Sequence, residues 1–139
     1  MYKDDKLTIG GREFSSRLFL GTGKFSSPQV MRDALAQSGA SVATVALKRA
    51  NLGGGSDASA DIAEWLEPDK YLVLPNTSGA VNADEAVRIA RLGRAAGFGD
   101  FVKLEIHPDP NYLLPDPIDT LEAAKILSKD GFKVMAYIN

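Results

Sequence analysis

The chain repeats one unit: a short apolar run, a polar loop, an amphipathic stretch and a glycine. Strand-like runs begin near Arg17, Val42, Tyr71, Phe101 and Lys133. Intervals of that size fit a strand plus a returning helix, so successive strands lie parallel in one sheet. Before the repeat, Leu7 to Ile9 and Arg12 to Phe14 flank Gly10-Gly11, which predicts an N-terminal hairpin.

The unit boundaries carry specific signals. Ser27 with Pro28 opens a helix striped by Val30, Met31, Ala34 and Leu35 and ended by Gly39. The second strand is expected from Val42 to Leu47, before a loop containing Gly53-Gly54-Gly55-Ser56. Asp57 is placed to cap a short helix striped by Ile62, Trp65 and Leu66. The third strand is read as Tyr71 to Leu74, broken by Pro75. Asn82 and Glu85, at capping-box spacing, open a helix carrying Ala86, Ile89 and Ala90. The fourth strand is read from Phe101 to His107, and the fifth from Lys133 to Ile138. Between them, Asp116-Pro117 starts a helix with Leu121, Ala124 and Leu127 inward, ended by Gly131.

Two architectures accommodate this order: an open doubly wound sheet and a (β/α)₈ TIM barrel. The first strand–helix turn, Gly21-Thr22-Gly23-Lys24-Phe25-Ser26, lacks the last glycine of a dinucleotide-binding loop. The fourth strand favours the barrel. Val102, Leu104 and Ile106 alternate with Lys103, Glu105 and His107. A central strand of an open parallel sheet, covered on both faces, should be apolar on both. Eight units need roughly 250 residues. The chain has 139. The expectation is therefore a single domain over residues 1–139, a TIM barrel truncated after about five strands, with the end at Asn139 read as a fragment boundary.

A formal net charge of −2 without a basic run argues against nucleic acid as a partner. No apolar stretch reaches membrane-spanning length, and the charged start is not a signal peptide, so the expected location is cytoplasmic. The absence of cysteine removes disulfides and a cysteine nucleophile, and with one histidine no metal site is expected.

In barrels of this class the chemistry sits at the C-terminal strand ends. Those ends here are Gly21 to Lys24, Lys48-Arg49, Asn76-Thr77, and Lys103 to Asp109. Lys103 is the leading nucleophile, because an amine desolvated inside a barrel gives up its proton and attacks a carbonyl. Glu105, about 7 Å further along the strand, is placed to move protons. Spacing alone leans instead toward a solvated strand face. Lys24 and Lys48 are rival lysines at strand ends, more simply read as solvated or anion-binding. His107 is read as orienting a loop, and the triple glycine as a connector ahead of a lid. Asn76 and Thr77 either line a substrate pocket or cap the turn.

Four segments carry a resemblance. Arg17 to Phe25, Val45 to Arg49, Leu74 to Gly79, and Val102 through Pro110 to Pro117 resemble thiazole synthase of bacterial thiamine biosynthesis, in order and over nearly the whole chain. The resemblance implies a (β/α)₈ barrel, about twice this length, with no cofactor. It implies condensation of 1-deoxy-D-xylulose 5-phosphate with dehydroglycine and with sulfur from the thiocarboxylate of a sulfur carrier protein. It implies Lys103 as the imine-forming lysine, Glu105 as the neighbouring acid–base group, and a homo-oligomer, a homotetramer in the family. The family's phosphate-binding glycine loops lie past Asn139, so the piece alone is expected to be inactive. The stretch from Ala50 to Asp61 follows the family pattern less closely. Two rivals remain: another imine-forming sugar-phosphate enzyme, such as an aldolase-like lyase, and an inactive truncated scaffold.

Overall fold

The computed structural model describes residues 6–47, 65–109 and 111–139. The chain opens with an antiparallel hairpin of β1 (Leu7–Ile9) and β2 (Arg12–Phe14), with Ile9 opposite Arg12. Gly10 and Gly11 have φ of 56° and 82°. A tight hairpin turn of this kind needs positive φ at both central positions, which glycine adopts without a Cβ clash.

Five parallel strands follow: β3 (Phe19–Gly21), β4 (Val42–Ala46), β5 (Leu72–Asn76), β6 (Phe101–Leu104) and β7 (Lys133–Ala136). Their order in the sheet is their order in the chain, without reversal. The connecting helices among the described residues are α1 (Pro28–Ser38), α2 (Ala83–Ala95) and α3 (Pro117–Lys129). The result is an α/β fold on a parallel sheet.

The helices start where the sequence says they should. The Ser27 hydroxyl accepts from the Val30 N–H, and Asn82 Oδ1 accepts from Glu85 N–H. Glu85 in turn accepts from the Val81 N–H, so side chains satisfy two otherwise orphaned donors at that end. Asp116 Oδ1 accepts from both Ile118 and Asp119.

The strand faces are chemically distinct. Ala43, Val45, Val102, Leu104 and Ile106 join one core with Met31 and Leu35 of α1, Ala86 and Ala90 of α2, and Ala123 and Leu127 of α3. All three helices therefore lie on one face, which is not the doubly wound arrangement. On the other face Val42, Leu72 and Leu74 pack with Phe14, joined by Leu7, Ile9, Phe19 and Phe101. The hairpin thus closes the N-terminal end of that face with apolar side chains. Strands alternate sides every residue, so its C-terminal end holds Asn76 and Lys103, which are paired in register.

Several expected details shift. Val30 and Leu121 are exposed, not inward; the α3 face that packs is Thr120, Ala123 and Leu127. A helical stripe is about a third of the circumference, so apolar side chains flank it as often as fill it. The third strand of the repeat, β5, runs through Pro75 to Asn76 rather than stopping at Leu74. β6 ends at Leu104, not His107, because the Thr77 hydroxyl takes both backbone groups of Glu105. β7 ends at Ala136. Of the helix expected from Asp57, the start lies outside the described residues; Leu66 is buried in the helix-side core.

Candidate active site

Lys103, Glu105 and His107 project to the same side of β6 and its extension, as period-two alternation requires. Their environments differ. Glu105 is 9% exposed and His107 6%. The Lys103 side chain keeps 40% of its surface. The solvated-face alternative is therefore wrong for the carboxylate and the imidazole, and the desolvation expected for Lys103 is only partial.

The three groups form a line through one carboxylate. Lys103 Nζ lies 3.0 Å from Glu105 Oε1, and His107 Nε2 lies 3.1 Å from Glu105 Oε2. Each oxygen has its own partner. A carboxylate held this way cannot rotate without breaking a charge-assisted contact.

Neighbouring elements fix the backbone beneath it. The Thr77 N–H donates to the Lys103 carbonyl at 3.1 Å. The Thr77 hydroxyl donates to the Glu105 carbonyl at 2.7 Å and accepts from the Glu105 N–H at 2.8 Å. The His107 N–H donates to the Ala80 carbonyl at 2.8 Å, and its ring lies 5.6 Å from the Tyr137 ring. Tyr137 is itself tied to β6, its N–H donating to the Leu104 carbonyl. The loop after β5 and the end of β7 thus converge on the segment from Lys103 to His107.

Of the other candidates, Asn76 is the register partner of Lys103, and its side-chain oxygen accepts from the Ser78 N–H at 3.2 Å. Thr77 is fully buried. Lys24 stands exposed in the loop after β3, with φ of 67°. Lys48 and the Gly53 to Ser56 run lie outside the described residues. Sequence reasoning gave Thr77 no role toward Glu105, and Tyr137 no role at all. Neither could have been found by spacing, since each contact spans about one βα unit or more. Among the described residues no group of three or more His, Asp or Glu side chains is arranged to hold a metal ion. A cleft of about 470 Å³ lies at the opposite end, lined by Arg12, Tyr71, Phe98, Asp100 and Lys133 where the strands begin. No helix among the described residues is long and apolar enough to cross a membrane.

Comparison with known proteins gives this geometry a family. The model of thiazole biosynthesis protein ThiG matches residues 8–139. Thiazole synthase 1 of Syntrophotalea carbinolica is 60% identical over 135 residues, covering 97% of this chain and 51% of that protein. Thiazole synthase of Syntrophobacter fumaroxidans is 57% identical, with 98% and 52% covered. The chain spans about half the length of the curated relatives it matches. In the crystal structure of the Amycolatopsis orientalis BexX/CysO complex, a chain 31% identical superposes with a TM-score of 0.75, covering 95% of this chain and 53% of that one. With the family model matching nearly its whole length, the chain belongs to the ThiG thiazole biosynthesis family.

Proposed function

We propose that this chain carries the imine-forming half of a thiazole synthase site, with Lys103 as nucleophile and Glu105 as its proton carrier. The single observation behind this is the Lys103–Glu105 contact at 3.0 Å at a strand end, in a member of this family. The substrate class is a ketose phosphate, 1-deoxy-D-xylulose 5-phosphate. The further reactants are dehydroglycine and the thiocarboxylate of a sulfur carrier protein. A relative of known structure is described as a complex with CysO, which supports a protein partner.

The ion pair supplies the chemistry. A proton moves from the Lys103 ammonium to the Glu105 carboxylate, leaving a free amine beside a carboxylic acid. The amine adds to the ketone carbon, giving a carbinolamine. Glu105 returns its proton to the departing hydroxyl, so water leaves and a protonated imine remains. The regenerated carboxylate then takes a proton from a carbon next to the imine; the C–H pair forms a C=C bond while the C=N π pair returns to nitrogen, giving an enamine. Asn76, in register with Lys103, faces the reacting carbons, while Thr77 serves the site by holding Glu105.

The fold part of the proposal is a single domain over residues 1–139, the N-terminal part of an eight-stranded (β/α) barrel in a cytoplasmic homo-oligomer. Unreversed strand order and one-sided helices support it. A phosphate dianion needs a cradle of backbone N–H groups. We place that cradle in the remaining half, so residues 1–139 alone are expected to be inactive.

The test is reductive trapping. The whole barrel, these residues together with the remaining half, is incubated with 1-deoxy-D-xylulose 5-phosphate and borohydride, and the modified peptide is located by mass spectrometry. An adduct on Lys103, lost in Lys103→Arg, is the expected result. No adduct, or one on Lys24 or Lys48, overturns the assignment.

A further inference from the structure

His107 is the one histidine of the chain. It is buried and takes no step in the chemistry above. Its Nε2 meets Glu105 Oε2 at 3.1 Å, whereas its Nδ1 is buried without a hydrogen-bond partner. With Glu105 ionised, Nε2 carries the hydrogen and donates it. His107 is also met from outside its own strand: Ala80 fixes its backbone N–H, and the Tyr137 ring lies tilted beside the imidazole.

The two contacts on Glu105 have different fates once a substrate arrives. Lys103 Nζ holds Oε1 as an ammonium with three donors. In the imine the same nitrogen is bonded to substrate carbon and keeps at most one hydrogen. The Oε1 contact is therefore weakened when Glu105 has its second task to perform. The Oε2 contact is untouched by imine formation. Without it, Glu105 would be free to leave its rotamer at that stage.

We propose that His107 is a positioning residue, which keeps Glu105 aimed at the substrate carbon after Lys103 has been committed to the imine. This deepens the preceding reading and rests on it. The prediction is a split between two steps. Imine formation, during which Lys103 still holds Glu105, does not need His107; proton removal from the neighbouring carbon does.

The experiment uses the whole barrel, these residues together with the remaining half, with 1-deoxy-D-xylulose 5-phosphate, in two readouts. Borohydride trapping at Lys103 reports the imine. Deuterium uptake from heavy water at the carbons next to the imine reports proton removal. His107→Phe keeps the ring and removes the donor. His107→Gln puts an amide N–H near the position of Nε2. The expected result is normal trapping in both variants, exchange slowed by about 100-fold in His107→Phe, and most of that loss recovered in His107→Gln. Exchange at the wild-type rate in His107→Phe overturns the inference. So does a loss of trapping as large as the loss of exchange, or a glutamine variant no better than phenylalanine, since either marks a merely structural role. A wild-type chain that traps on Lys103 while His107→Phe exchanges normally overturns this inference alone. A wild-type chain that does not trap on Lys103 overturns the imine reading and this one together.

Discussion

The hydroxyl of Thr77 makes both of its strong hydrogen bonds to one residue, donating to the Glu105 carbonyl at 2.7 Å and accepting from the Glu105 N–H at 2.8 Å. In a regular parallel ladder those two backbone groups would pair with the neighbouring main chain. Here a side chain intervenes just past the end of β6, where the regular strand stops.

Thr77→Val keeps the shape and removes both bonds, stranding a buried N–H and a buried carbonyl. Each such group costs about 1–3 kcal/mol. The expected destabilisation is therefore about 2–6 kcal/mol in urea unfolding, with Thr77→Ser close to wild type. A valine variant as stable as wild type would show that the two bonds contribute nothing net.

On the proposed mechanism, Glu105→Gln removes the proton carrier while preserving size. Turnover and deuterium uptake next to the imine are expected to fall by about 10²- to 10⁴-fold. Circular dichroism should show the fold unchanged. Turnover within a few-fold of wild type would move the proton-transfer role elsewhere.

Gly93 of α2 sits against Leu47, and a Cβ built on it would lie 2.5 Å from Leu47 Cδ1. Leu47 is 2% exposed and has little room to retreat. Gly93→Ala gains about 1 kcal/mol of helix propensity but overpacks the core by about 1–3 kcal/mol. A net loss is expected, read as a lower unfolding midpoint. It should shrink when combined with Leu47→Val, which removes one methylene and draws the methyl groups back from Gly93. Strictly additive effects of the two substitutions would refute the contact as the cause.

Glu67 lies 2.7 Å from the Lys70 ammonium and 3.4 Å from Arg32. The hydrogen bond from Lys70 holds its carboxyl below the ordinary glutamate value, aided by the charges of Lys70 and Arg32 and opposed by partial desolvation. A carboxylate depressed in the folded state stabilises the fold above its unfolded value, and that contribution fades as pH falls through the folded value. An NMR titration should place Glu67 below the ordinary range, and Lys70→Met should raise it. An unmoved midpoint in that variant would exclude the Lys70 bond as the main cause.

Much of this architecture could be read from local chemistry. Ser27, Asn82 and Asp116 cap helices as their positions suggest, because a cap is a contact within three residues. Strand starts at Val42, Phe101 and Lys133 were read as they stand, whereas β3 begins at Phe19 rather than Arg17 and β5 at Leu72 rather than Tyr71. Misplaced details were those that depend on a neighbour. Leu121 looks inward by composition and is exposed, because Thr120 and Ala123 set the contact face of α3. Pro75 looks like a strand end, yet β5 continues, with the Leu47 N–H reaching the Asn76 carbonyl.

The alternation from Val102 to His107 by itself established that a lysine, a glutamate and a histidine share one side of a strand, since side-chain direction has a period of two. It left open whether that side meets water. Only the tertiary structure decided this. The hairpin fills the N-terminal end of the face with Leu7, Ile9 and Phe14, while Thr77, Ala80 and Tyr137 close around the other end. Burial is a property of what other elements bring, so the sequence of one strand cannot contain it. Glu105 and His107 are enclosed because of those neighbours, and Lys103 keeps its partial exposure for the same reason.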